Sequence, residues 1–358
     1  VKKLRVGIVG VGGIANGKHM PALAKIPEVE MVAFCDLIKE RAEKGAKQYG
    51  TSDALVCTDY RELVARDDID IVHVCTTNDA HSFVAIAALE SGKHVMCEKP
   101  MAKSAAEGRQ MVEAAKKTGK KLTIGYQNRY RADAFHLKAL CDQGVFGDIY
   151  FAKALAIRRR AVPTWGSFLD EERQGGGPLI DIGTHALDLA LFMMNNYEPV
   201  MAVGTAYHKL SKRKNAANAW GPWDPDKFTV EDSAFGFVTF KNGATVILES
   251  SWALNTLQIG EAKVVLCGTE AGADMLDGLR INGEENSRLY TKTVETSIGG
   301  VAYYEGVSQN PGDIETRMWI DAVKNDTEVY VKPEQALVVT EILEGIYKSA
   351  ETGKPYYF

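Results

Sequence analysis

The sequence predicts an α/β chain in which a doubly wound parallel sheet precedes an α+β domain with a largely antiparallel sheet. Three observations carry that expectation. Apolar, β-branched runs alternate with helical periodicities through the first third of the chain. A glycine-rich turn joins the first run to the first helical segment. Beyond about residue 124 the alternation stops, and longer strand-like runs follow one another with turn signals between.

In the first region the runs are Leu4–Val9, Val29–Cys35, Ile69–Cys75, His94–Cys97 and Leu122–Ile124. Helical character marks Ile14–Ala24, Lys39–Tyr49, Tyr60–Arg66, Ala80–Glu90 and Ala105–Thr118. Runs that are apolar nearly throughout suit strands covered on both faces, and strict alternation implies βαβ units. In the second region strands are expected at Ile149–Arg158, Val200–His208, Ser233–Phe240, Ala244–Trp252 and Ala262–Cys267. Lys241-Asn242-Gly243-Ala244 separates two of them and reads as a hairpin. Helices are expected at Thr184–Met194, Ile314–Lys324 and Glu334–Glu351; the last opens after Pro333 and stops at Gly353-Lys354-Pro355. The expected division is 1–124 for the parallel sheet, 125–332 for the α+β domain and 333–358 for a closing helix free to return to the first domain.

Composition narrows the function classes. At 358 residues the chain exceeds the usual single-domain size. A net charge of -5 argues against a general nucleic-acid binder, which carries a basic surplus. The local cluster Arg158-Arg159-Arg160 suits a domain surface or a polar ligand. No apolar run approaches the roughly 20 residues that cross a bilayer. No signal-peptide layout precedes Leu4, and the six cysteines form no Cys-x-x-Cys pair, so a reduced, cytoplasmic protein is expected.

The turn Gly10-Val11-Gly12-Gly13-Ile14-Ala15 is a dinucleotide fingerprint with Ala in the third small position. Gly10 permits the tight turn and Gly12 lets backbone approach a pyrophosphate. Gly13 and Ile14 complete the cradle, and Ala15 is small enough for helix-on-strand packing. The helix N-terminus offers unpaired N–H groups to the phosphates. Asp36 stands about 20 residues beyond the glycines, where a carboxylate accepts from ribose hydroxyls; capping the helix near Leu37 is its other reading. A carboxylate there repels a 2′-phosphate, so NAD is the expected cofactor, with Lys39 and Arg41 near enough to admit NADP. Thr76, Thr77 and Asn78 follow the fourth strand at the carboxyl edge where such sheets bind ligands. Nearby His81 serves either the nucleotide or the structure.

Glu98-Lys99-Pro100 follows the fifth strand, Gly125-Tyr126-Gln127-Asn128-Arg129-Tyr130 the sixth, and Gly176-Gly177-Pro178-Leu179-Ile180-Asp181-Ile182-Gly183-Thr184-His185 comes later. With the fingerprint, Asp36 and the Thr76…His81 segment, these make the sequence resemble the glucose–fructose oxidoreductase / inositol dehydrogenase / MocA family over nearly its whole length. The resemblance implies a Rossmann domain, a second domain with a large, mostly antiparallel open sheet, and a dehydrogenase of sugars or polyols. It groups Glu98 with the cofactor contacts and implies a face-to-face homodimer or homotetramer. Strands Ser233–Phe240 and Ala244–Trp252 carry enough apolar residues to need such a cover.

Oxidising an alcohol needs a base for the hydroxyl proton while hydride leaves. Asp181 and His185 are four apart and share a face if helical. His185, titrating near neutrality, is the expected acid/base, with Asp181 its orienting partner. Lys99, at a strand end, would polarise the reacting oxygen or relay the proton, and a cis bond can precede Pro100. Duller readings are a surface lysine, a helix histidine and an N-cap. A metal on Asp181 and His185 lacks an obvious third ligand, so none is expected.

Where the resemblance puts the substrate stand Gln127, Asn128, Arg158 and Trp165, uncharged donors, a guanidinium and an indole suited to a hydroxyl-rich ring. Inositol dehydrogenases commonly carry arginine where Asn128 stands, which puts myo-inositol in doubt. The loop Lys209–Lys227 caps the site, serves a subunit contact, or is a plain surface excursion. Two other functions fit the same residues: an internal hydride shuttle on a glycoside without net redox, and a non-catalytic dinucleotide sensor.

Overall fold

The computed structural model describes residues 3–296 and 310–358. The chain divides into two units, Val1–Gln127 with Ser308–Leu337, and Asn128–Val307 with Val338–Phe358.

The first unit holds strands β1 (Leu4–Val9), β2 (Val29–Cys35), β3 (Gly50–Cys57), β4 (Ile71–Val74), β5 (His94–Cys97) and β6 (Leu122–Ile124). They form one sheet in the order 3-2-1-4-5-6, parallel throughout. This is the doubly wound arrangement expected, with its switch point between β1 and β4, where the carboxyl ends of the two halves diverge. The central strands are apolar because both faces are covered: Val6, Ile8, Ile71, Val72 and Val74 are fully buried. Strand β3 escaped the sequence reading for the converse reason. Among the described strands it pairs only with β2, at the sheet edge; of its residues only Cys57 is buried, and it needs no continuous apolar run.

The segment after the fingerprint is helical through Ala24 as expected, with Ala15–His19 in a π-helical stretch that passes without interruption into Met20–Ala24. Pro21 suits that local widening: it supplies no N–H, and its ring crowds the carbonyl four residues back. Helices Lys39–Tyr49 and Ala105–Thr118 match expectation, the latter capped by Ser104 accepting from Glu107 N and stopped at Gly119 with φ 66°. Helix Pro311–Lys324 belongs to this unit and sends Trp319 and Ile320 into its core beside Ile8, Met20 and Phe34.

The second unit holds β7 (Ile149–Ile157), β8 (Pro199–Tyr207), β9 (Ser233–Phe240), β10 (Thr245–Ser251), β11 (Gly260–Gly268), β12 (Ala271–Asp274), β13 (Leu279–Glu285), β14 (Arg288–Val294) and β15 (Tyr356–Tyr357). Their order is 14-13-12-11-7-10-9-8-15, with β7 and β10 parallel and the other described pairings antiparallel. The expected hairpin joins β9 to β10, its Gly243 at φ 86°. One face is buried by Ala152, Ala154, Val238, Val246 and Leu248 beneath helix Thr184–Met194 and helix Pro333–Thr352. Gly204 and Gly236 pair across β8 and β9, and a Cβ on either would strike Ile346 of the second helix within 2.6 Å. The other face leaves Val203, Tyr207 and Phe237 exposed. Strands β12 to β14 and helix Ala132–Asp142 were not anticipated; β14 is mostly exposed, and β13 buries only Leu279 and Ile281.

Candidate active site

In the first unit the fingerprint folds as its residues require. Gly10 takes φ 87°, and a Cβ on it would lie 2.5 Å from the Cys75 carbonyl oxygen, so neither its backbone nor its surroundings admit a side chain. Gly12 and Gly13 differ: a Cβ on either would meet nothing within 4 Å. Their side of the turn is open, which is the space a pyrophosphate needs. Ile14 is exposed beside it, and Ala15 is buried against the sheet. The residues present therefore fit a dinucleotide.

Asp36 braces this turn. Its carboxylate accepts from Val11 N at 2.8 Å and Ile38 N at 2.9 Å. It does not cap the helix that follows, whose N-cap is Ile38 without a side-chain bond. A carboxylate has about four acceptor positions, so two remain for a ribose diol.

Thr76 and Asn78 lie at the carboxyl end of β4, Asn78 opening helix Asn78–Glu90. His81, on that helix, is buried, with its ring nitrogens 2.7 Å from Pro100 O and 3.2 Å from Thr76 O. It ties the two ligand-edge segments together, and burial lowers its basicity. The Lys99–Pro100 peptide is cis.

Glu98 has the most elaborate environment in this unit. Its carboxylate meets the Lys18 ammonium, His19 Nε2 at 2.8 Å and the amide of Lys99 at 3.2 Å. Lys18 also pairs with Glu315 at 3.0 Å, and His19 Nδ1 lies 2.9 Å from His73 Nδ1. All of these side chains but that of Lys99 are buried. Burial alone would raise the Glu98 carboxyl, but Lys18 and His19 hold it well below the usual range. One ammonium cannot neutralise two buried carboxylates, and burial pushes Glu315 up to about 7. None of Lys18, His19, His73 and Glu315 was singled out from the sequence; Lys18 and Glu315 are nearly 300 residues apart, and no local pattern links them.

In the second unit, Asp181 lies in a π-helical turn, Leu179–Gly183, that runs into helix Thr184–Met194, where His185 is buried in the first turn. The glycines ahead of it are explained by Glu231. That buried carboxylate accepts from Gly177 N at 2.7 Å, Leu179 N at 3.0 Å and the Tyr347 hydroxyl at 2.8 Å. A Cβ on Gly177 would lie 2.3 Å from Glu231 O. Burial raises the Glu231 carboxyl to about 7 despite these bonds. The far side of the helix is anchored by Asp188, which takes a bidentate bond from the buried Arg129, at 2.9 and 2.6 Å. Arg129 comes from the 3-10 turn Gln127–Tyr130 that also carries Gln127 and Asn128.

Asp181 accepts from the Trp252 indole at 3.1 Å and lies 4.0 Å from Arg158 Nη1. Arg158 is held by Glu261 through bonds of 2.7 and 2.6 Å. Its guanidinium stacks 5.3 Å from the Trp220 ring centroid, and Trp220 meets Trp165 edge-on at 5.0 Å. Of the expected substrate residues, Arg158 and Trp165 are thus brought into one cluster with Asp181. Trp220, Trp252 and Glu261 join the cluster with no mark in the sequence as site residues; Trp220 lies in the loop Lys209–Lys227. Among the described residues no group of three or more His, Cys, Asp or Glu is placed to hold a metal ion.

Known proteins agree with both halves. An oxidoreductase family model with an NAD-binding Rossmann fold matches residues 4–126, and the GFO/IDH/MocA C-terminal domain model matches residues 135–274. The chain is 35% identical over 351 residues to D-glucoside 3-dehydrogenase of Escherichia coli K12, covering 98% of this chain and 96% of that protein. It is 38% identical over 164 residues to inositol 2-dehydrogenase of Salmonella typhimurium, 45% of this chain and 48% of the other. The crystal structure of an oxidoreductase domain protein from Kribbella flavida shares the fold, with a TM-score of 0.85 at 22% identity over 100% of this chain and 99% of that one.

Proposed function

The chain belongs to the GFO/IDH/MocA family of oxidoreductases, with NAD as cofactor and CH–OH groups as substrates, and on that premise we propose that it oxidises a secondary ring hydroxyl of a glucoside or related sugar. The observation that carries the substrate reading is the setting of Asp181, between the Trp252 indole N–H and the Arg158 guanidinium. Such a mixture of acceptor and donors suits a hydroxyl-rich ring. The full-length likeness to a glucoside 3-dehydrogenase supports the same class.

NAD, when bound, supplies the hydride acceptor. The open side of Gly12 and Gly13 receives its pyrophosphate, and Asp36 its ribose, with Ile14, Thr76 and Asn78 lining the cofactor edge. His81 and Glu98 position that edge rather than touching the ligand: both are buried and bonded to the segments that carry Thr76 and Lys99. His185 takes the hydroxyl proton, Asp181 orients the hydroxyl and the imidazole, and Lys99 stabilises the developing alkoxide. Gln127 and Asn128 add amide donors and acceptors for further hydroxyls.

A homo-oligomer and a cytoplasmic setting belong to the same reading. The exposed Val203, Tyr207 and Phe237 on the open sheet support the first, and six free cysteines the second. No described helix is long and apolar enough to cross a membrane.

The test is a panel of alkyl glucosides, free aldoses, anhydrosugars and inositols, followed through reduced nicotinamide. Turnover led by the glucosides is the expected result. Turnover with inositols alone would overturn the substrate class. Product formation with copurified NAD and no accumulating NADH would favour internal return of the hydride.

A further inference from the structure

The contacts around Asp181 close on themselves. Asp181 lies 4.0 Å from Arg158 and Arg158 stacks on Trp220, whose indole meets Trp165. Trp165 meets Phe168 at 5.9 Å, Phe168 meets Trp252 at 6.4 Å, and Trp252 donates back to Asp181. Within this circuit exposure is uneven. Trp252 is fully buried, whereas Trp165 and Trp220 are 52% and 44% exposed. Two adjoining half-exposed indoles cost hydration unless something apolar covers them.

Trp220 is not there by accident of a floppy loop. Asn218 bonds Val162 through both its oxygen and its nitrogen, at 2.8 and 2.9 Å, and also reaches Gly221 O. Ala219 N donates to Arg160 O, and the Thr164 hydroxyl to Trp220 O. At the base of the loop, Asp232 accepts from Leu210 N and Ser211 N, and Trp223 donates to Ser211 O. The loop is built to hold one indole against the Arg158 end of the circuit.

We propose that Trp165 and Trp220 form an aglycone subsite: a glycoside whose sugar hydroxyl engages Asp181 lays its apolar aglycone on this indole pair, beyond Arg158. The inference rests on the reading of Asp181 as a substrate contact. The order of contacts argues for the aglycone rather than the sugar ring. Arg158 contacts the carboxylate and the Trp220 indole alike, so the indoles lie one guanidinium beyond Asp181, within reach of a substituent on a ring held there. Their exposure leaves room for substituents of different length. The subsite selects glycosides with apolar aglycones over free sugars.

The experiment compares glucose with methyl, butyl and hexyl glucoside in the wild-type chain, in Trp220→Ala and in Trp220→Phe. In the wild type, KM falls with each added methylene by roughly two- to fourfold, the effect of covering that much apolar surface. In Trp220→Ala the chain-length dependence becomes shallower, and KM for hexyl glucoside rises about tenfold, several-fold more than KM for glucose. Trp220→Phe recovers part of the dependence, which distinguishes a lost contact from a misfolded loop. Quenching of tryptophan fluorescence by hexyl glucoside without NAD gives a readout that does not need turnover. Quenching in the absence of any dehydrogenase activity would keep the subsite and reject the reaction assigned to it. Unchanged chain-length dependence in Trp220→Ala, or equal losses with glucose and hexyl glucoside, would overturn the proposal. So would a change in assembly size with KM unaltered, which would give the indoles to a subunit contact.

Discussion

The two units solve the problem of building a site in opposite ways. In the first, the ligand edge is made of backbone: the Gly10 turn, the ends of β4 and β5, and the start of helix Asn78–Glu90, all at the carboxyl ends of parallel strands. In the second the proposed site is made of side chains drawn from far apart in the chain, Arg158, Trp165, Asp181, Trp220, Trp252 and Glu261. A backbone cradle leaves a short local pattern because the turn dictates its residues. A side-chain cluster leaves none until the fold brings it together.

The comparison predicts where chemistry and binding separate. His185→Ala should lower kcat by about 10²- to 10⁴-fold, the usual contribution of a positioned base, while leaving NAD affinity nearly unchanged. Lys99→Ala should lower kcat comparably and also weaken NAD, because Lys99 follows β5 at the carboxyl edge of the sheet, where the proposed cofactor site lies. Equilibrium NAD titrations beside steady-state rates check both. An equal loss of NAD affinity in the two variants would break the division of labour.

That contrast also explains what could be read in advance. The parallel sheet, the fingerprint, Asp36 and the run from Gly176 to His185 were legible because sterics fix them locally: Gly10 at φ 87°, Gly177 against Glu231 O. The bracing of Val11 N by Asp36 was not, because a hydrogen bond across 25 residues has no sequence signature. Strand β3 was missed because edges need no apolar run. Trp220 and Glu261 were invisible as site residues, since only the tertiary fold sets them beside Arg158.

Each unit buries an ion pair, and breaking either tests whether the two are equally dependent on it. Lys18→Met strands Glu98 and Glu315; Arg129→Met strands Asp188. Either should cost about 3–5 kcal/mol in urea unfolding, the usual penalty for a buried charge left alone. Arg129→Met should in addition lower kcat, because Asp188 shares the helix of His185.

The next effect is a pH dependence. Glu315 has its folded pKa raised from the ordinary value to about 7, so between about pH 4.5 and 7 the folded state holds a proton that the unfolded state releases. Stability therefore falls as pH rises through that window and is flat above it. Glu315→Gln should remove up to about 3 kcal/mol of that fall. Glu231, also raised to about 7, keeps its share in the second unit. Unfolding free energies at pH 5 and pH 8, variant against wild type, measure the difference; an identical slope would locate the raised carboxyl elsewhere.

Within the fingerprint, Gly10→Ala and Gly12→Ala should part company. The first forces a side chain into φ 87° and onto the Cys75 carbonyl, so it should lower stability by about 1–3 kcal/mol or more. The second places its methyl in open space and should leave the melting temperature within a degree or two while weakening NAD. A stable Gly10→Ala would mean that the turn can relax.

The smallest and most discriminating effect belongs to Asp36, where backbone and side-chain strategies meet. Its two oxygens accept from Val11 N and Ile38 N, and at the proposed ribose site its charge would oppose a 2′-phosphate. Asp36→Asn keeps one acceptor oxygen and loses the charge, so it should shift the NADP-to-NAD preference by about tenfold with little loss of stability, a change of about 1.4 kcal/mol. Asp36→Ala loses charge and both bonds. It should shift the preference similarly but also unfold earlier, since Val11 N is left without its partner in a half-buried turn. If the two variants melt alike, the brace is dispensable and the carboxylate serves the ribose alone. If they discriminate the cofactors alike but melt apart, one side chain both shapes the backbone cradle and reads what lies in it.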